Sequence, residues 1–253
     1  MTLRFALALC SAALALGAAA DARAEEGGAW VTHENGEHRY IPAKEWQRER
    51  ARAEAAARRE AADNALACRR GEGFACSLLG SAYEDGRGVP KSAARAKARR
   101  TRAAALWSAT CRRGDFAACA ALADALETGQ GVKRDPARAE TLARLANRGF
   151  RKRCDAGDGD ACHALGTQYI LGAGVARSWD EQQRLYRRAD ELRRAACGRG
   201  AWAACRAAAS QIGIGDGVPR DAAKAAELQA RAVALAKTAC SGGDQAACAY
   251  LRR

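Results

Sequence analysis

Residues 154–162 read Cys154-Asp155-Ala156-Gly157-Asp158-Gly159-Asp160-Ala161-Cys162, and the same Cys-x7-Cys frame returns every 43 residues. The other copies are Cys68/Cys76, Cys111/Cys119, Cys197/Cys205 and Cys240/Cys248. A period held without drift means one supersecondary unit copied in tandem. In each copy a glycine stands three residues after the first cysteine (Gly71, Gly114, Gly157, Gly200, Gly243), and an alanine stands just before the second. On one continuous helix, residues eight apart are separated by about 12 Å of rise, beyond the roughly 7 Å reach of a disulfide. The chain must therefore turn between the two cysteines. The glycine supplies that turn as a helix stop, and Asp115, Asp158 and Asp244 directly after it can cap the helix that follows. Each bridge is expected to tie the end of one helix to the start of the next, and to contribute roughly 2.5 kcal/mol by closing a nine-residue ring.

Further along each unit comes a second turn, G-x-G-V, at Gly86/Gly88/Val89, Gly129/Gly131/Val132, Gly172/Gly174/Val175 and Gly215/Gly217/Val218. Three residues after the valine stands a helix N-cap residue, Ser92, Asp135, Ser178 or Asp221. Pro136 follows its cap at the first helical position, and Ser178 with Glu181 has the spacing of a capping box. The unit thus resolves into a short helix of about 12 residues, a glycine turn and a long helix of about 20. Apolar residues recur at spacings of three and four, as in Leu122, Ala125 and Leu126 or Ala139, Leu142 and Ala146. Arg99 breaks the pattern where other copies carry Leu142, Leu185 and Leu228, so the first repeat is expected to be the loosest.

The compartment sets the chemistry of the thiols. Residues 1–24 combine Arg4, an apolar run from Phe5 to Ala20 and the ending Ala22-Arg23-Ala24, the layout of a cleavable secretory signal. Leu9 before Cys10 is bulky where a lipoprotein signal wants a small residue. Cleavage after Ala24 removes the eleventh cysteine and leaves an even ten in a periplasmic or secreted chain, where disulfides persist. A metal cluster is disfavoured because the spacing is not Cys-x2-Cys and His33, His38 and His163 do not recur with the repeat. His33-Glu34 and His38 miss the H-E-x-x-H zinc signature by one residue. A nucleophilic cysteine would not be duplicated ten times in an oxidising compartment. The cysteines therefore read as structural staples, and no cofactor or metal site is expected.

The formal net charge is +13, and +12 without residues 1–24. Such a charge permits binding to nucleic acid, anionic lipid or an acidic envelope polymer. Arginines interleaved with alanine through every long helix read more simply as solvated faces, and no specific nucleic-acid site is expected. Beyond the leader no apolar run is long enough to span a bilayer.

Upstream of the repeats, residues 25–42 contain Trp30 to Ile41 with alternating character around Asn35-Gly36, the signature of a β-hairpin. Residues 43–67 read as a charged helix carrying Trp46 and a Glu54/Arg58 pair, placed to cap the N-terminal end of the array. Residues 68–253 then hold four full repeats and a terminal half repeat.

This unit resembles the Sel-like repeat, a relative of the tetratricopeptide helix pair, in the disulfide-bearing form of the Helicobacter cysteine-rich protein family. The features that carry the resemblance are A-C-x-x-L-G at Ala75 to Gly80 with its echo at Ala161 to Gly166, Tyr83 and Tyr169, the G-x-G-V turn and the Cys-x7-Cys link. The present unit is about seven residues longer than the family's usual repeat, close to two helical turns. The expected fold is an all-α solenoid of helix pairs, an αα-repeat superhelix stapled by disulfides with a short N-terminal β-hairpin.

Solenoids of this kind expose an extended surface lined by the first helix of each pair, and they serve most often to bind proteins or peptides. The stripe opposite the buried face of the short helices carries Ser77, Ser81, Glu84, Asp124, Glu127, His163, Thr167, Arg206 and Ser210, the expected groove lining. The sequence-level function is an exported scaffold for a protein or peptide ligand, with an anionic envelope polymer as the second class of partner. The family resemblance implies an alternative, penicillin binding with weak β-lactamase activity. No S-x-x-K, S-D-N or K-T-G motif is present to support it, and no catalytic residue is assigned.

Overall fold

Strands β1 (Gly28–Thr32) and β2 (His38–Pro42) pair antiparallel, with Trp30 opposite Tyr40 and Gly28 opposite Pro42. The computed structural model describes residues 28–32 and 38–251, so the signal reading of 1–24, His33 and the Asn35-Gly36 turn lie outside the described residues. Trp30 and Tyr40 face each other with ring centroids 5.4 Å apart. The chain then continues as helices of alternating length. These are α1 (Ala43–Arg69), α2 (Gly73–Asp85), α3 (Ala93–Cys111), α4 (Phe116–Thr128), α5 (Pro136–Asp155), α6 (Gly159–Leu171), α7 (Trp179–Gly198), α8 (Trp202–Ile214), α9 (Ala222–Ser241) and α10 (Gln245–Leu251). The short helices α2, α4, α6 and α8 have 13 residues each, and the long helices α5, α7 and α9 have 20. The chain forms two compact units, one running to Leu106 and the other starting at Trp107.

The long-to-short corner is built by backbone chemistry that repeats. Gly157, at φ 92°, donates its N–H to Cys154 O at 3.0 Å, and Asp158 N–H reaches Arg153 O at 3.0 Å. This crossed pair closes the end of α5 on a left-handed glycine, a conformation in which a side chain would be strained. The Asp158 carboxylate then turns to the next helix and accepts from Asp160 N and Ala161 N. Asp115 and Asp244 cap their helices in the same way. Across each corner a disulfide joins the cysteines: Cys68–Cys76, Cys111–Cys119, Cys154–Cys162, Cys197–Cys205 and Cys240–Cys248, with Cα atoms 4.6–4.7 Å apart in all five.

The five bridges form as expected, and they differ in burial at Cys248. Its bridge to Cys240 forms as expected, but both cysteines are only half-buried, whereas the eight cysteines of the other bridges are all buried. The difference lies in what covers the corner. At the Cys154–Cys162 corner the following long helix α7 lies alongside, and its Arg188 donates to Cys154 O. The Cys240–Cys248 corner leads into α10, which has seven residues, and among the described residues no long helix comes after it.

The short-to-long turn has a different logic for each of its glycines. Gly172 sits at φ 70° and ends α6, its N–H bonded to Gln168 O. Gly174 is also left-handed, but a Cβ there would lie 2.6 Å from Arg144 N and 2.8 Å from the carbonyl carbon of Ala143 on α5. The second glycine therefore lets the turn press on the backbone of the preceding long helix. Gly88 packs on the Ala57 carbonyl of α1 in the same manner, so α1 takes the place of a long helix ahead of the first bridge.

The expected capping residues hold the next helix: the Ser92, Asp135, Ser178 and Asp221 side chains accept from Arg95, Arg138, Glu181 and Lys224 amides. The reciprocal half of a capping box does not form at Ser178. Its own N–H donates to Tyr169 O at 3.3 Å, and the Glu181 carboxylate turns to Arg184 instead. The Tyr169 carbonyl has outcompeted the side chain for that donor.

Alanine dominates the core, with a few larger residues such as Leu79 in the first unit and Leu122, Phe150, Leu165 and Leu185 in the second. Cys68, Cys76, Cys119, Cys162 and Cys205 are fully buried. These bridges thus fill volume that short alanine side chains leave, besides closing the corners. Arg99 is half-buried where Leu185 and Leu228 are buried, and its Nε has no hydrogen-bond partner among the described residues.

Candidate functional site

The stripe read from the sequence divides between the two units. In the first, Ser77 and Ser81 are half-buried on α2, and Glu84 is exposed and paired with Arg100 of α3. In the second, α4 carries Asp124 and Glu127, α6 carries His163 and Thr167, and α8 carries Arg206 and Ser210.

Each short helix uses its polar residues differently. Glu127 is bound by Arg134 at 3.0 Å, and the same arginine donates to the Glu127 carbonyl at 2.7 Å. Asp124 makes no side-chain hydrogen bond or ion pair among the described residues. The residue is exposed overall, but neighbouring protein desolvates its carboxyl and pushes its pKa above the ordinary value, and the charge of Glu127 adds to the rise. Arg206 and Ser210 are exposed, with the Arg206 guanidinium 6.0 Å from the Tyr250 ring centre. Tyr250, two residues beyond Cys248, is itself stacked on Trp202 at 5.1 Å and accepts from Gln229 Nε2 at 2.7 Å.

His163 and Thr167 are brought together with residues that the stripe did not contain. The His163 ring lies flat on Tyr186 of α7, with centroids 4.3 Å apart and planes 2° from parallel. Its Nε2 meets Asp216 Oδ2 at 3.0 Å in the turn after α8. Thr167 Oγ1 donates to His163 O at 3.1 Å and lies 3.0 Å from the Tyr186 hydroxyl. Burial raises the Tyr186 phenol above its usual range, the Thr167 bond works against that rise, and the charge of Asp216 reinforces it. Beneath them Gln211, only 2 % exposed, donates to Tyr186 O at 2.8 Å and Asp216 O at 3.0 Å, and accepts from Arg193 at 2.8 Å. A fully used amide of this kind locks α7, α8 and the following turn to one another.

Tyr186, Gln211 and Asp216 carried no sequence signal as a group. At the 43-residue spacing the copies carry Arg100, Ala143, Tyr186 and Gln229 at one position and Arg87, Gln130, Ala173 and Asp216 at another, so nothing in the repeat marks Tyr186 or Asp216, and Gln211 is matched only by Gln168. Among the described residues, no stripe residue of the second unit hydrogen-bonds through its side chain to a stripe residue of another helix. Among the described stripe residues no hydroxyl is hydrogen-bonded to a histidine ring or a carboxylate. Among the described residues no cluster of three metal-ligating side chains occurs, and no helix is long and apolar enough to cross a membrane.

Tandem helix pairs with two glycine turns per unit, stapled at one corner and open along the short helices, define a helical-repeat protein. The Sel1 repeat model matches residues 73–98, 116–148, 159–183 and 202–244, and the chain belongs to the Sel1 repeat family. Two solved structures resemble it in part. A Sel1 repeat protein from Oxalobacter formigenes is 24% identical over 71% of this chain and 62% of its own, with a TM-score of 0.27. The protein c5321, a protective antigen of uropathogenic Escherichia coli strains with an SLR fold, is 19% identical over 70% of this chain and 57% of its own, with a TM-score of 0.20. The present chain thus spans about six-tenths of the length of those proteins. No curated protein matches it.

Proposed function

We propose that this Sel1 repeat protein is an exported, non-catalytic scaffold whose short-helix face binds a protein or peptide, in the disulfide-bearing style of the Helicobacter cysteine-rich family. The observation that carries the reading is Asp124. The chain has 42 lysines and arginines, yet this exposed carboxylate has no ion-pair partner among the described residues. A group kept in that condition on an outer helix face is poised for a cation from elsewhere, such as a lysine, an arginine or a terminal amine of a ligand. Further along the face, Arg206 offers the opposite charge, and the His163–Tyr186 stack offers a rigid, partly buried aromatic platform between them in sequence order. Five disulfides fit an oxidising compartment outside the cytoplasm, in agreement with the signal reading of residues 1–24.

The test is selection of a random peptide library on the oxidised protein. Recovered peptides should be enriched in basic residues and should lose binding to Asp124→Asn. Peptides that bind Asp124→Asn as tightly as the wild type, or no recovered binder at all, would refute the assignment of this face.

A further inference from the structure

The two kinds of helix differ in charge far more than their shared alanine-rich composition requires. The long helix α3 carries five cations and no acid, α5 six cations and two acids, α7 five and four, and α9 three and one. The short helices α2, α4, α6 and α8 carry a single cation, Arg206, against five acids. Exposed positions exist on the short helices, including Ala117, Thr128, Ala203 and Ser210, and none of these four holds a lysine or arginine. A general arginine habit of the chain would have filled some of these sites as well. The charge is therefore sorted by kind of helix.

Within the second unit the sorting produces a patch on α5 and α7. Arg148, Arg151 and Lys152 are exposed at one-turn spacing on α5, and Arg184 and Arg187 are exposed on α7, against the exposed acids Asp155, whose charge acts on Arg184, and Glu191. The helices are close there: Arg188 of α7 donates to Cys154 O at 3.4 Å, and the charge of Arg151 on α5 helps hold the Glu181 carboxyl on α7 below its ordinary range, after the larger effect of its Arg184 bond. Glu181 is occupied by Arg184 at 2.7 Å, and Arg151 donates to Tyr169 OH at 2.8 Å. Arg148, Lys152 and Arg187 have no ion-pair partner among the described residues.

We infer that this outer face of α5 and α7 docks on a phosphate-bearing anionic lipid surface. Guanidinium groups suit phosphate because they donate two parallel N–H bonds to its oxygens. Single-stranded nucleic acid is the poorer fit, because bases need aromatic rings interleaved with the cations. Of the three aromatic residues on these two helices, Phe150 and Tyr186 are buried, and the exposed Trp179 stands at the start of α7, about two turns before Arg187. A single exposed tryptophan set apart from the cations on the same helix pair is instead compatible with a surface that meets lipid headgroups, where an amphipathic ring can anchor. The inference is independent of the short-helix reading, since it uses the opposite kind of helix.

The experiment is flotation of the oxidised chain with phosphatidylglycerol vesicles and, separately, phosphatidylcholine vesicles at low and high salt. A triple variant Arg148→Gln, Lys152→Gln, Arg187→Gln is compared with a charge-matched control, Lys91→Gln, Lys133→Gln, Lys237→Gln. Surface cations contribute about five-fold each to such binding, so the patch variant should lose roughly 100-fold and the control far less. Circular dichroism of both variants should match the wild type, because all six side chains are exposed. Equal losses in the two triples would overturn the patch in favour of diffuse net charge. Absence of binding to phosphatidylglycerol at low salt, or binding to a DNA duplex but not to vesicles, would overturn the lipid assignment.

Discussion

Replacing Gly174 by alanine tests the reason for the second glycine of the repeat turn. Both glycines of Gly172-Ala173-Gly174 are left-handed, so alanine at either position carries the conformational penalty, about 1–2 kcal/mol. They differ in what the new methyl group meets. At Gly172 it meets the Arg177 side chain, with Cγ at 2.8 Å and Nε at 3.2 Å, an exposed and flexible chain that can swing away. At Gly174 it meets the α5 backbone, Arg144 N at 2.6 Å and Ala143 C at 2.8 Å. Backbone inside a hydrogen-bonded helix cannot yield alone, so the turn must lift off α5, an overpacking cost of about 1–3 kcal/mol more. Gly174→Ala should therefore destabilise by about 2–5 kcal/mol and Gly172→Ala by about 1–2. Urea unfolding of the oxidised protein followed by circular dichroism gives the comparison, and amide hydrogen exchange at the Ala173–Ser178 turn localises it. If Gly172→Ala costs as much as Gly174→Ala, close approach is not the reason for the second glycine.

Four further outcomes are expected. Replacing Cys154 and Cys162 together by alanine should cost about 2.5 kcal/mol or more, the ring-closure contribution plus lost packing, while non-reducing peptide mapping still finds the other four local bridges. A Cys119–Cys154 link in the wild type would contradict the corner geometry. Asp124→Asn should raise stability slightly near neutral pH, because a carboxyl whose folded pKa is raised favours folding less as pH climbs through and beyond the ordinary carboxylate range. In strong acid the variant and wild type should melt together, and stabilisation that persists there would exclude ionisation as the cause. His163→Ala removes both the Tyr186 stack and the Asp216 contact, so a loss of about 1–2 kcal/mol is expected in thermal or urea unfolding. Nitrocefin should not be turned over by the purified oxidised chain; turnover abolished by replacing a single serine would instead establish the enzymatic alternative.

What the sequence alone determined lies within a few residues of each turn. The Gly157 stop, the Asp158 cap, the pairing of Cys154 with Cys162 and the start of α7 at Ser178 all rest on backbone groups three to eight residues apart, so residue type and spacing are sufficient to specify them. That Asp124 shares a helix with Glu127, and His163 with Thr167, was equally readable, because each pair stands three or four residues apart within one short helix. The uses of those residues were not readable. Whether Glu127 is neutralised by Arg134 depends on a side chain reaching back from the turn. That His163 rests on Tyr186 and meets Asp216, 53 residues later, depends on how successive helix pairs stack. Burial of the bridges has the same origin: spacing pairs Cys248 with Cys240 as surely as Cys162 with Cys154, but only a neighbouring long helix covers the corner, and Cys248 stays half-open. The capping box at Ser178 failed for a related reason, since the Tyr169 carbonyl arrives from another helix to take the donor. Short-range hydrogen bonding made the repeat legible; packing between successive helix pairs decided which polar groups are consumed and, among the described residues, left Asp124, Arg148, Lys152 and Arg187 without an ion-pair partner.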